Sequence, residues 1–503
     1  MKDKLAQQQE KDQRLQEKLA KKQAKESNRE EKKLQKQRQR ELKESEKQAV
    51  ADRKQLLKAN LSLQQQIDVL ASRQELKRQW YKLDNAALIY PALNVGGKDA
   101  IFRLSVLLKK EVNPLVLQQA INDVVPRFPT ITTSMRAGVF WYYFDSPAFP
   151  IKAEIQDKHP ATPIAVSRRR PIVRVCYFKN EIACEFFHSA CDGSGGLAFL
   201  NCLVARYLTL LGEKIEDTTN CLNVFDKPSE KETEDSFQRV FDKNAPMLFK
   251  EERAYHTKGT QLPGEKLVYR KLICSASQLH SIAKQFNCTI TILLSALLLL
   301  AFKHEKDFHH SKDNNPIKLS VPINLRKFYD SQTVRNFSSY LYATYVESDN
   351  LQDLINELKV QWEKQNNKAY CDGMISYNCR SQNNIFIKLT PLVLKNIVLG
   401  AVYKAKGDAR NTASFSNLGI VKAPKEFAEH IHRYEFNFGK TFSTPIGMTA
   451  VTFGDCLVIN LSSQIRETVV ERHFVEQLSK LGAKMAVECN DVESYTIKRE
   501  VNK

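Results

Sequence analysis

The chemistry of this 503-residue chain can start from one imidazole. His188, Asp192 and Gly193 stand in the run EIACEFFHSACDGSGG, residues 181–196, in the pattern His-x-x-x-Asp-Gly. The first half of the run is apolar and ends in two phenylalanines, which reads as a strand entering a core. The second half is small and glycine-rich and leads into Leu197, Leu200, Val204, Tyr207 and Leu211 at helical spacing. A histidine on the turn between strand and helix can be held rigidly while one ring nitrogen stays free. A neutral imidazole in that state can take a proton at neutral pH. From the residues alone, a satisfied core histidine and a general base are both open. Cys191 beside Asp192 is a weaker nucleophile candidate, because neighbouring turn residues point apart. A second His-x-x-x-Asp, His309 to Asp313, lacks the glycine and follows no apolar strand, so it reads as a solvated loop with no metal site.

The elements that must position the motif belong to a chain long enough for two or three domains. The first 80 residues hold no Pro or Gly and carry 22 Lys and Arg against 13 Asp and Glu. Leu42, Ala49, Leu56, Leu63 and Leu70 recur every seven residues there, but the companion line four residues on is mostly polar. A charged helical or coiled-coil extension is expected over 1–79, with self-association or a protein partner as its use. Basic and acidic residues alternate in it without aromatics, so no nucleic-acid binding is expected.

At Trp80 the sequence turns aromatic and apolar. Strand and helix patterns then interleave, which predicts a mixed α/β fold in two units, 80–212 and 263–490, joined by a polar linker over 213–262 and ending in a tail, 491–503. Asn113-Pro114 opens a helix, and Ile172–Phe178 pairs with Glu181–Phe187 across a Lys-Asn turn. The longest apolar run, Thr289–Phe302, is too short to span a membrane and reads as a core helix. Another apolar stretch covers 385–404 and reads as helical after Pro391. The charged N-terminus suggests no secretory signal, and eleven scattered cysteines suggest reduced thiols in a cytoplasmic protein.

Four segments in order resemble a known superfamily: RFPTITTSM from Arg127, PIVRVCYF with FHSACDG, VPINLRKFYDSQTVRNF from Val321, and SFSNLG from Ser414. Together they are similar to the coenzyme A-dependent acyltransferases, which include chloramphenicol acetyltransferase, BAHD enzymes and condensation domains. The alcohol acetyltransferase-like proteins are nearest in pattern, and the resemblance covers about residues 80–485. It implies a two-domain chloramphenicol acetyltransferase-like fold with mixed sheets. It also implies acyl transfer from acyl-CoA, a co-substrate with no bound cofactor, to a small alcohol or amine, with His188 as general base in a ternary complex. A carrier-protein donor, or an inactive scaffold of the same fold, is the alternative. Asp192 is implied to brace the loop by pairing with an arginine, and Gly193 to permit a tight turn. Ser414, Ser416, Asn417, Arg326 and Asn336 are implied channel-lining residues, with Ser414 or Ser416 or a backbone N–H as oxyanion donor. The arginine expected opposite Asp192 is Thr132 here, which leaves Arg127 or Arg326 to serve.

Overall fold

The computed structural model describes most of residues 62–490 and scattered positions between 29 and 51. Segments 1–28, 52–61, 75–79, 94–99, 157–158, 165–168, 247–251, 265, 349, 403–407, 441–443 and 491–503 lie outside the described residues. Two units are distinguished, 1–66 and 67–503. In the first, the described positions between 29 and 51 are helical; most of the expected 1–79 extension, its coiled coil included, lies outside the described residues.

The second unit starts well before Trp80. Ile67, Leu70 and Ala71, at the end of the helix Leu63–Ala71, are buried. Gln74 exchanges amide hydrogen bonds with the backbone of Ile151, at 2.6 and 3.0 Å. These residues belong to the folded body because their few apolar side chains find a core and their amide finds a backbone.

Two main sheets follow, with mixed strand directions as the sequence predicts. The five-stranded sheet has the order Ile431–Phe438, Ile101–Leu108, Glu181–Phe187, Val173–Phe178, Ala153–Ile155, antiparallel except for its last pair. Lys179, at φ 50°, makes the tight reversal that joins the two strands flanking the Lys-Asn turn. The seven-stranded sheet has the order Ser338–Thr344, Lys318–Asn324, Ala413–Ile420, Ile446–Phe453, Cys456–Ser463, Val268–Ser275, Met485–Cys489. Ala413–Ile420 runs parallel to both its neighbours. A small third sheet joins Trp80–Lys82, Tyr142–Asp145 and Ser134–Ala137.

The second of the halves expected at 80–212 and 263–490 lends a strand to the first, since Ile431–Phe438 pairs with Ile101–Leu108 in the first sheet. Its sequence, IHRYEFNF, alternates over Tyr434–Phe438, but alternation marks a strand without saying which sheet receives it. Tyr434 and Phe436 are buried by their new neighbours. The helix Ile290–Phe308 fills the second core with Leu293, Leu294, Leu297, Leu298 and Phe302, as the apolar run predicts. Among the described residues no single helix is long and apolar enough to cross a membrane.

Candidate active site

The strand Glu181–Phe187 ends at His188, and the helix Gly193–Leu210 begins five residues later. The turn between them is tied down on both sides. His188 N–H donates to the Ala100 carbonyl at 2.7 Å, and the Ser189 hydroxyl donates to the Ala87 carbonyl at 3.0 Å. The imidazole stacks on Tyr90, with ring centroids 4.6 Å apart and planes 17° apart, and meets the edge of Phe102. Two aromatic rings thus fix the ring plane.

The hydrogen bonds around Asn336 fix the tautomer. Its Nδ2 donates to the Ser189 carbonyl at 3.2 Å and to Asp84 Oδ2 at 3.3 Å. Two acceptors on one side place the amide oxygen on the other, 3.2 Å from His188 Nδ1. Since that oxygen can only accept, Nδ1 carries the proton and Nε2 keeps its lone pair. Burial holds the His188 pKa below its ordinary value, against weaker opposing pulls that include Asp192 and Asn336. The ring is therefore neutral at pH 7, with Nε2 as the basic nitrogen.

Asp192 has a different task. It caps the helix, with Oδ1 accepting from the backbone N–H of Ser194 and Gly195 at 3.1 and 3.0 Å. Its Oδ2 accepts from Arg326 Nη1 and from the Phe337 N–H, both at 2.8 Å. The carboxylate is saturated by donors and stapled to residues more than 130 positions away. It is no acid partner for His188 Nδ1, whose bond goes to Asn336. Arg326 also donates to the carbonyls of Thr333 and Arg335, while Arg127 is taken up by a two-pronged pair with Glu232. Arg326 therefore does what the absent arginine at Thr132 would do. The Thr132 hydroxyl bonds the Phe128 carbonyl instead.

The glycine expectation needs correction. Gly193 is not in the left-handed region; a Cβ there would meet only a Leu418 methyl at 2.7 Å. Gly195 is the strict position, because a Cβ would lie 1.9 Å from the Val334 carbonyl oxygen, a backbone atom that cannot swing aside. The helix start approaches the 334–337 segment that closely so that Asp192 can reach Phe337.

His188 opens onto a cavity of about 1260 Å³, which Asp192, Gly193, Ser194, Asn324, Tyr340, Ser416 and Asn417 also line. Ser416 and Asn417 come from the strand Ala413–Ile420, so both sheets contribute to one cavity. Asn417 is held by Thr291 at 3.0 Å and by the Gly419 N–H at 2.8 Å. Three expected lining residues are elsewhere. Ser414, two residues earlier on the same strand, does not line the cavity, Arg326 braces Asp192, and Asn336 is buried behind the imidazole. Cys191 is fully buried and its thiol pKa is pushed well up by burial, which removes it as a nucleophile. Tyr90, Phe102 and Asp84 are not legible as site residues in the sequence. All three lie about a hundred residues upstream of the motif, with no spacing to tie them to it.

Comparison with known proteins agrees with this architecture. Residues 246–482 match the family model of alcohol acetyltransferase. No curated protein sequence matches the chain. Solved structures give likeness of fold at low identity. The trichothecene 15-O-acetyltransferase of Fusarium sporotrichioides is 12% identical with a TM-score of 0.50, covering 82% of this chain and 97% of that one. The epimerization domain of the third module of tyrocidine synthetase B is 12% identical with a TM-score of 0.51, covering 81% and 97%. Polyketide synthase associated protein 5 of Mycobacterium tuberculosis is 12% identical with a TM-score of 0.50, covering 79% and 96%. Residues 246–482 are thus similar to the alcohol acetyltransferase family, and the chain shares its mixed α/β fold with an acetyltransferase and an epimerization domain.

Proposed function

We propose that the protein transfers an acyl group from acyl-CoA to an alcohol or amine, with His188 as general base. One observation carries this reading: a neutral imidazole, protonated on Nδ1, lines a cavity large enough for two substrates. Ligand pockets commonly run to about 1,000 Å³, so the present volume suits a donor and an acceptor bound together.

An alcohol has a pKa far above neutral and must lose its proton as it attacks. Nε2 of His188 takes that proton while the acceptor oxygen bonds to the thioester carbonyl carbon. The carbon–sulfur bond then breaks, and the imidazolium returns the proton to the leaving thiolate. No acyl-enzyme is needed. The tetrahedral oxyanion needs a donor, and the Ser416 hydroxyl, in the cavity wall, is the candidate. Lys327 and Lys359 also line the cavity and would face the phosphates of a polyanionic donor.

The test is release of free CoA thiol from mixtures of acyl-CoA and acceptor. His188→Ala is expected to lower kcat/KM about 10²- to 10⁴-fold, with circular dichroism unchanged. Undiminished release would overturn the assignment. A carrier-protein-bound donor that outcompetes acyl-CoA would replace the donor but leave the base in place.

A further inference from the structure

The stretch from Ile385 to Val398 is folded inside out. It forms a short helix, Ile385–Leu389, and a longer one, Leu392–Val402. On the longer helix Leu392 and Lys395 face inward and are buried. The Lys395 ammonium donates to the Phe140 carbonyl at 2.8 Å and sits over the Trp141 ring. Burial lowers its pKa. Asn396 bonds the Tyr142 hydroxyl at 2.8 Å, and the Leu392 N–H donates to the Val139 carbonyl. The polar groups thus attach the helix to the body. Its apolar residues point to solvent, with Val393 at 73% and Ile397 at 66% exposure, and Phe386 at 79% on the short helix. Val139 and Phe140, on the loop that receives Lys395, are exposed beside them.

A soluble helix buries its apolar face and exposes its lysines. The longer helix reverses this and the short helix buries nothing, so with the loop tip they leave an exposed apolar patch of the kind that marks an interaction surface.

The charge around the patch selects the occupant. Between Asp372 and Asp408 the sequence has no acidic residue, and of the two lysines on the two helices Lys395 turns inward while Lys388 faces solvent. Lys388 is exposed in the middle of the apolar strip. An apolar face with an exposed lysine in its middle and no acid along its strip matches an anionic lipid surface, whose headgroups attract cations while its acyl region takes the apolar side chains. A second copy of this chain would bring the same positive charge against itself. The patch is also continuous with the cavity, since Ile387, Thr390 and Val398 line it.

We propose that the face built by Ile385–Leu389, Leu392–Val402 and the Val139–Phe140 loop docks on an anionic lipid surface, placing the cavity mouth against the acyl layer. Docking does not depend on the acyl-transfer reading. What rests on that reading is the consequence that the acceptor is lipophilic and enters from the lipid.

The experiment is flotation of the full chain with phosphatidylcholine vesicles, with and without phosphatidylserine. The wild type is expected to float, more strongly with phosphatidylserine. Phe386→Asp/Val393→Asp/Ile397→Asp, none of which lines the cavity, is expected to cut the bound fraction about tenfold or more, with an unchanged melting temperature. Lys388→Glu is expected to lose only the preference for phosphatidylserine. His188→Ala is expected to float like the wild type, which separates docking from chemistry. A wild type that stays at the bottom of both gradients would overturn the proposal, as would a triple variant that floats undiminished. A wild-type dimer that the triple variant splits, without flotation, would assign the face to a second copy instead.

Discussion

Two regions of this molecule break the rule of charges outside and oil inside, in opposite directions. Behind the His188 turn, the buried Asp192 is paired with the half-buried Arg326, with Asp84 and Asn336 buried close by. Around Val393 and Ile397, apolar side chains stand in solvent. In the first region every exception is answered within the chain: each Asp192 oxygen has two donors, and the Asn336 amide has partners on both ends. In the second, the Lys395 ammonium and the Asn396 Nδ2 find acceptors while the apolar side chains are left without cover. Unfavourable groups that are fully partnered set a geometry; those left open call for something outside the chain.

The sharpest way to break the first region is Arg326→Ala. It leaves Asp192 buried without its counter-charge, and breaking such a pair costs about 3–5 kcal/mol. Chemical denaturation should show this as a lowered midpoint, and a loss below about 1 kcal/mol would mean that the backbone donors hold the carboxylate alone.

A medium effect concerns the histidine itself. Its pKa is depressed by burial, so the basic form persists below the ordinary value of 6.5 and is lost as pH falls through the shifted value. The acid limb of kcat/KM should therefore lie below 6.5, falling about tenfold per pH unit beyond it. A limb at or above 6.5 would show that the ring is not desolvated in the free enzyme.

The smallest effect belongs to the second region. Val393→Ser should change stability by no more than about 0.5 kcal/mol, because the side chain touches little that it would lose. A drop several times larger would mean that Val393 is covered after all.

The sequence announced the His188 turn because one short segment carries it. His188, Asp192 and the helix start are contiguous, and their small residues and apolar flanks leave few alternatives. It could not announce Arg326 as the brace over Arg127, because only the chain's path decides which guanidinium arrives. The helix Lys368–Asn383 is nearly silent in sequence: its buried line is Cys371, Ile375 and Cys379, with a glycine inside. Its partners Phe237 and Phe337 supply the bulk that its own side chains lack. The 385–404 stretch is legible as apolar and helical, yet hydropathy shows only that these residues avoid water. It does not say whether the chain supplies their cover.

The late strand Ile431–Phe438 has a consequence for how the protein is made. Chains leave the ribosome N-terminus first, so Ile101–Leu108 and Glu181–Phe187 can pair while most of the second half is still unsynthesised. One edge of Ile101–Leu108 must then wait, with its row of amides and carbonyls open, until Phe438 has emerged. An open edge of that kind invites pairing with another chain. The first sheet therefore passes through synthesis with a vulnerable interval, and any nascent chain stopped before residue 431 would carry that bare edge permanently.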